Sequence, residues 1–480
     1  MKQRAKVYKG KRVVMGDKNR VTKHEIHVND IPQQGGESGG SNSGGGGNTP
    51  KPALTINDAT FYDYDGTILY SYTKDEFLRL KEMPPLPTQE GLICQEWNWD
   101  FADAKEFVSE FGAIDIGATY ITDDGITRLY ITIPEGLSRM ITLCHSYKEG
   151  TVYIDWGDGE QEELQNNKDR TSHTYNQSGD FVISIDSTNG YISFGDGNSG
   201  IIYDYNAKET LSFLRKCHIG ANVWFGLEWL LGDASGKYGG VRECCYLESI
   251  TIPNHCNRIA YGCFSACYAL KCVVIPKSCT TSYTNMFGYS KVISLPKELV
   301  KIKGISAKCV ERIILPPNCT LESQMIDSNA KEIIANTFVG TQGNNFLRKL
   351  VLPYEYDGSI PSQPFSNNYS LQEIRLPQGI TSLPSYFFGN CYSLIYLNVP
   401  KSVTSIRSYS FDNCYSLVRL NFSNHEVVPT LEKSNTFNSL SSKAKIIVPD
   451  ALYDEWIAAT NWSSITSKII KKSDWDAQNL

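Results

Sequence analysis

The chain has 480 residues, a net charge of −6 and 41% hydrophobic residues, enough apolar content for three or more packed domains. No run approaches the ~20 consecutive apolar residues of a membrane span, and residues 1–30 lack the apolar stretch of a secretory signal, so neither is expected. Residues 1–34 hold nine Lys and Arg against three acids, an excess of +6, which leaves the remainder at −12 (−6 minus +6).

In chain order, residues 1–34 form a basic arm on an acidic body, a pattern suited to docking on something acidic. Lys6, Lys9, Lys11, Arg12, Lys18 and Arg20 supply the charge. Val7, Tyr8, Val13, Val14, Ile26 and Val28 interleave with it. That favours a strand-forming anchor pairing with a protein lattice over a nucleic-acid contact. Residues 35–53 are a Gly/Ser-rich linker ending in Pro-Lys-Pro, and such a stretch spans ~25 Å on average.

Residues 54–136 read as a small α+β module. Asp65-Gly66 marks a tight hairpin turn. Thr73-Lys-Asp-Glu76 is a capping-box start for a helix to about Lys81, which Pro84, Pro85 and Pro87 stop. A second helix runs from Asp100 to Phe111, with Phe101, Ala104, Phe107 and Val108 on one face. Ala118–Ile133 reads as a second hairpin, turning at Asp124-Gly125. The stretches Glu90-Gly-Leu, Gln95-Glu-Trp97-Asn-Trp99 and Tyr120-Ile-Thr-Asp-Asp-Gly125 resemble a module of gut-bacteriophage virion proteins.

Residues 137–200 read as a β-sandwich. Asp155-Trp156-Gly157-Asp158-Gly159 precedes His173-Thr174-Tyr175 and Phe181-Val-Ile183-Ser-Ile185. This resembles a PKD-like domain, which implies a spacer or adhesion module with Trp156 in the core and His173 ordering a loop. Residues 201–246 are a connector, and Trp224, Trp229 and Leu230 suggest a capping coil.

Residues 247–442 repeat. Phe365-Ser-Asn-Asn368-Tyr-Ser-Leu371, Phe388-Gly-Asn-Cys391-Tyr-Ser-Leu394 and Phe411-Asp-Asn-Cys414-Tyr-Ser-Leu417 recur every 23 residues. Each leads into a Leu-x-x-Ile/Leu-x-apolar strand. Looser copies stand at Leu247–Pro253, Phe264–Pro276, Val292–Pro296, Val310–Pro316 and Leu347–Pro353. One such unit cannot bury its own apolar face, but stacked units can. At ~4.8 Å per strand, about eight coils make a rod of ~40 Å. The period fails around 303–346, where a distorted middle is expected. The motifs resemble the 23-residue BspA-like leucine-rich repeats, which implies a surface-exposed binding module and no activity. Residues 443–480, from Lys445-Ile-Ile-Val to Trp456 and Trp462, resemble the C-terminal cap of such proteins: a last strand, then an amphipathic helix.

The expected fold class is therefore multidomain and mainly β: α+β module, PKD-like sandwich, then a leucine-rich-repeat solenoid with a C-terminal cap.

Chemistry is sparse. Asp63-Tyr-Asp65-Gly66-Thr67 matches the nucleophile loop of haloacid dehalogenase-like phosphatases, but the hairpins around it fit a turn instead. Asp155, Asp158 and Glu160 could collect calcium, yet the Asp-Gly pair serves a turn. Cys244, Cys245, His255, Cys256, Cys263, Cys267 and Cys272 contain no Cys-x-x-Cys knuckle for zinc. Cys267, Cys391 and Cys414 share a repeat slot that Asn368 fills in another copy, so the thiols read as reduced and structural. No metal, cofactor or catalytic group is expected.

Tyr268, Tyr369, Tyr392 and Tyr415 share another slot. Packing between coils is the simpler reading, and an exposed binding stripe is the alternative. Together these readings point to a non-enzymatic virion surface protein, a head fibre or decoration or a tail-associated fibre, made in the host cytoplasm. Residues 1–34 would hold capsid or tail proteins, and the solenoid would meet a host glycan or protein; a homo-oligomer is expected. A bacterial cell-surface adhesin is the alternative, and a glycan-processing enzyme a third class.

Overall fold

The computed structural model describes residues 55–478 apart from short stretches, the longest being 195–213 and 226–240. It also describes the backbone of β1 (Lys11–Val13) and β2 (Glu25–His27), which pair antiparallel. Lys6, Lys9, Lys18 and Arg20 lie outside the described residues, as do the side chains of Lys11 and Arg12.

The α+β module begins with β3 (Ala59–Tyr62) and β4 (Ile68–Tyr72), an antiparallel pair. Gly66 turns it at φ +88°, and its N–H donates to the Asp63 carbonyl at 3.0 Å. A side chain at that φ is costly, which is why glycine stands there. The phosphatase-like motif is thus a turn. α1 (Lys74–Arg79) opens with the full Thr73–Glu76 capping box. β5 (Leu92–Trp97), α2 (Phe101–Phe111) and β6 (Ile114–Thr122) complete a sheet of order β4-β3-β6-β5. Gly112 ends α2 in the left-handed region. Ala104, Phe107, Val108 and Phe111 are buried with Phe61, Phe77 and Trp97.

β7 (Thr127–Ile133) departs from the expected hairpin. Its partners are in the next domain, because β6 is already paired on both edges, by β3 and β5. The sandwich continues through β8 (Met140–Gly150), β9 (Tyr153–Asp155), β10 (Gln161–Glu163), β11 (Arg170–Thr174), β12 (Gly179–Asp186) and β13 (Gly190–Phe194). β14 (Leu214–His218) and β15 (Val223–Phe225) come from the connector, and β16 (Ser249–Ile250) from the first repeat. One sheet runs β10-β9-β12-β7-β14-β16 and the other β11-β8-β13-β15. The connector thus completes both sheets. β14 pairs in parallel with β16, so the sandwich sheet runs directly into the solenoid.

The solenoid makes about 7 turns. Its main sheet, laddered in three groups (Cys272 to Ser294, Arg312 to Arg375 and Tyr396 to Lys471), places Val273, Ile293, Ile313, Ile333, Leu350, Ile374, Leu397, Leu420 and Ile446 inside. From Arg312 to Arg375 the expected distortion does not interrupt this face. Ile313, Ile333, Leu350 and Ile374 pair in unbroken parallel register. The steps shorten to 20 and 17 residues here and return to 23 from Ile374, so the missing residues come out of the turns. On the second face the strands fall into two groups, from Arg258–Ile259 to Thr320–Leu321 and from Ser382–Leu383 to Thr430–Leu431. The cap adds Lys445–Val448 and Ile469–Lys471 to the main sheet, with Trp456 and Trp462 fully buried. One continuous core runs from Leu129 to Ile469.

The α+β module packs against the outer face of this main sheet. Ile314, Ile334 and Val351 join the module's core, and Cys272 and Val274 pack on Tyr62. Gly117 meets Val274 so closely that a Cβ there would lie 2.4 Å from a Val274 methyl. Asn98 Nδ2 donates to Ile275 O at 2.9 Å, and Trp99 Nε1 donates to Leu295 O at 2.7 Å. Arg312, with both Nε and Nη2 on the Asp115 carboxylate, is a buried bidentate pair across the contact.

Candidate binding surface

Each well-formed coil turns a corner at an asparagine. Asn367, Asn390 and Asn413 have φ of 61°, 63° and 59°. Asparagine tolerates this region because its short side chain can hydrogen-bond locally. Here the amides bond to one another: Asn390 Nδ2 donates to Asn367 Oδ1 at 2.7 Å, and Asn413 Nδ2 donates to Asn390 Oδ1 at 2.8 Å. The corner sends the next side chain inward and the one after it outward.

The inward slot holds Asn368, Cys391 and Cys414, all buried. Cys391 Sγ donates to Phe365 O at 3.1 Å and Cys414 Sγ to Phe388 O at 3.2 Å, each to the preceding coil. Asn368 Nδ2 makes the shorter reach to Phe365 O at 2.9 Å and also bonds Thr341. Burial pushes the Cys391 thiol up to about 12, which keeps it protonated and unreactive. Among the described residues no group of three or more His, Cys, Asp or Glu converges as metal ligands. Asp158 instead holds His173 at 2.7 Å, and the His173 ring stacks on the buried Trp156 at 4.9 Å.

The outward slot holds the tyrosines. Tyr369, Tyr392 and Tyr415 are 40%, 41% and 58% exposed. They do not pack between coils, as the simpler sequence reading had it. They stack on one another outside, at 5.0 Å and 11°, then 5.7 Å and 27°. Their spacing is set by the ~4.8 Å repeat of the strands beneath. Tyr415 donates from its hydroxyl to Asn413 Oδ1 at 2.6 Å, so the rings line the amide row. Tyr268 stands apart from these three, at 4.6 Å from Tyr289.

A second ladder escaped the sequence reading. Tyr386 and Tyr409 stack at 5.2 Å and 9°, both exposed, with φ of 58° and 63°. Such φ values are uncommon for a bulky residue and mark stored strain. The signal was available: both tyrosines stand two residues before the repeat phenylalanine. The Tyr386 ring lies over Gly389, next to Asn390. The surface therefore has three contiguous rows, tyrosine, amide and tyrosine. Tyr392 is stacked on both faces and the other four rings on one, so stacking turns ring edges and hydroxyls to solvent. That chemistry suits hydrogen-bonded contact with a repeating or extended partner.

Residues 241–342 and 331–455 match the family described as BspA type leucine rich repeat region, in six copies. No curated protein matches the chain. Similar solved structures include a leucine-rich repeat protein from Bacteroides ovatus, at 21% identity and TM-score 0.37, covering 49% of this chain and 63% of that one. A leucine rich cell surface protein from Faecalibacterium prausnitzii is 16% identical with TM-score 0.22, covering 54% and 73%. The pneumococcal vaccine antigen PcpA is 15% identical with TM-score 0.25, covering 54% and 66%. Residues 241–455 thus match the BspA-type leucine-rich repeat family and fold as a β-solenoid.

Proposed function

We propose that this chain is a non-enzymatic surface-display protein whose solenoid grips a host glycan or protein through its tyrosine rows. The observation that carries this reading is the exposed ladder Tyr369–Tyr392–Tyr415. Exposed aromatics held rigid by stacking give contact area at low entropic cost, and a rod with a docked module presents them without hinge freedom. The sandwich, with Trp156, His173 and Tyr175 clustered as a PKD-like domain would have them, serves as a spacer.

In the finer form of the proposal the display surface is a phage particle, and the protein is a head fibre, decoration or tail-associated fibre. Buried thiols such as Cys391 and Cys414, which fill packing slots without bridging, suit assembly in a reducing cytoplasm. The basic arm, 1–34, would hold acidic capsid or tail surfaces, and copies of the chain would assemble as a homo-oligomer. Immunogold labelling of purified particles with antibody to residues 250–450 tests this. Labelled particles, and loss of label when 1–34 is deleted from a chain that still folds, are expected. Unlabelled particles with labelled bacterial envelopes would replace the virion reading by a cell-surface adhesin.

A further inference from the structure

The outward column of the main sheet is covered at both ends and open between them. Val274, Ser294, Ile314, Ile334 and Val351 are buried beneath the α+β module. At the far end Ile447 alternates with the core-facing Ile446 and Val448, yet it is only 2% exposed. The helix Lys472–Gln478 packs on that strand. Arg375, Asn398 and Asn421 stand between, in register with the covered positions. From Val351 to Ile447 is four strand spacings, about 19 Å at ~4.8 Å each. The window is therefore walled by the module on one side and the C-terminal helix on the other.

Its floor is polar. Asn398 is exposed, and Asn421 Nδ2 donates to Asn398 Oδ1 at 3.1 Å. In the adjacent column Arg419 lies over the Tyr396 ring at 4.9 Å, with Glu373 beyond it towards Lys349. Arg375 donates to Leu352 O and Glu110 O and lies over Phe111. Among the described residues no carboxylate forms an ion pair with it, and the Glu110 charge offsets its burial only in part. Burial accordingly holds its pKa below the usual arginine range. A half-desolvated guanidinium gains most from a bidentate carboxylate.

We propose that this window binds an acidic glycan, taking one uronate carboxylate on Arg375 and another on Arg419, and the neighbouring sugar hydroxyls on Asn398, Asn421 and Tyr396. Charge favours an anion, and amides with an aromatic favour a hydroxylated ring. An acidic peptide fits less well, since the floor offers neither a free strand edge nor an apolar side-chain pocket. The site is separate from the tyrosine ladders and does not depend on them.

Calorimetric titration of the full chain with a galacturonic acid trisaccharide tests this, beside a neutral galactose trisaccharide and a hexaglutamate peptide. Saturable binding of the acidic sugar alone is expected. Arg419→Gln and, at an exposed position that spares the fold, Asn398→Asp should each weaken it tenfold or more with unchanged melting. Tyr392→Ala should leave it intact. No binding, equal binding of the neutral sugar, equal binding of hexaglutamate, or insensitivity to both variants would overturn the proposal.

Discussion

At the scale of single residues, burial decides what each reactive group does. Cys309 is exposed, whereas Cys217, Cys256, Cys263, Cys272, Cys319, Cys391 and Cys414 are buried. Brief alkylation of the native protein should therefore modify Cys309 and spare those seven, with full labelling only in denaturant, as peptide mass spectrometry would read. His218 lies between the module and the sandwich, 3.3 Å from the Tyr64 hydroxyl and edge-on to Tyr130. Burial, with Lys216 and Arg128 nearby, lowers its pKa to about 4. Its unfolded value is ~6.5, so between those values the unfolded chain binds the extra proton and stability falls as pH falls. After allowing for partial solvent screening the loss is about 2 kcal/mol at pH 4. Urea unfolding at pH 7 and pH 4.5 should show a smaller drop in a His218→Gln variant than in the parent. The inward cysteine slot was legible in the sequence, because Asn368, Cys391 and Cys414 share a position and are all small enough to face a core. The direction of the tyrosines was not legible. It depends on the left-handed asparagine preceding each slot, and periodicity alone does not reveal which side of a corner a ring leaves.

At the scale of elements, the two helices, the first hairpin and the repeat strands followed from caps, turns and the 23-residue period. The pairing of β7 did not. Alternating residues announce a strand but not its partner, and the free edges lay in the sandwich. The docking of the module was equally hidden, since Val274, Ile314, Ile334 and Val351 point outward from the repeat strands, where the repeat pattern specifies no residue type. Gly117 and Val274 give the contact a direct test. Gly117→Ala should destabilise the chain by about 1–3 kcal/mol through overpacking. Val274→Ala in the same chain should recover part of that loss, because the clashing methyls are gone. Additive losses in denaturant melts of the double variant would mean that the module does not sit on this strand.

For the whole molecule, the sandwich, the solenoid and the α+β module are joined by shared packing. The core is continuous from Leu129 to Ile469, β16 shares a sheet with β14, and the module clamps the outer sheet face. Calorimetry should accordingly show the sandwich and solenoid melting in a single transition, and two resolved transitions would show that the shared sheet does not couple them. Rigidity of this kind is what holds the tyrosine rows in register over successive coils. The central claim is that these rows are the gripping surface. Its most direct test is retention of the purified protein on gut-bacterial cells and mucin-coated wells, beside a variant with Tyr369, Tyr392 and Tyr415 all changed to Ala. The account predicts that the parent is retained on at least one of these surfaces and that the variant, with an unchanged melting temperature, is retained at least tenfold less. Equal retention of the two proteins would contradict it.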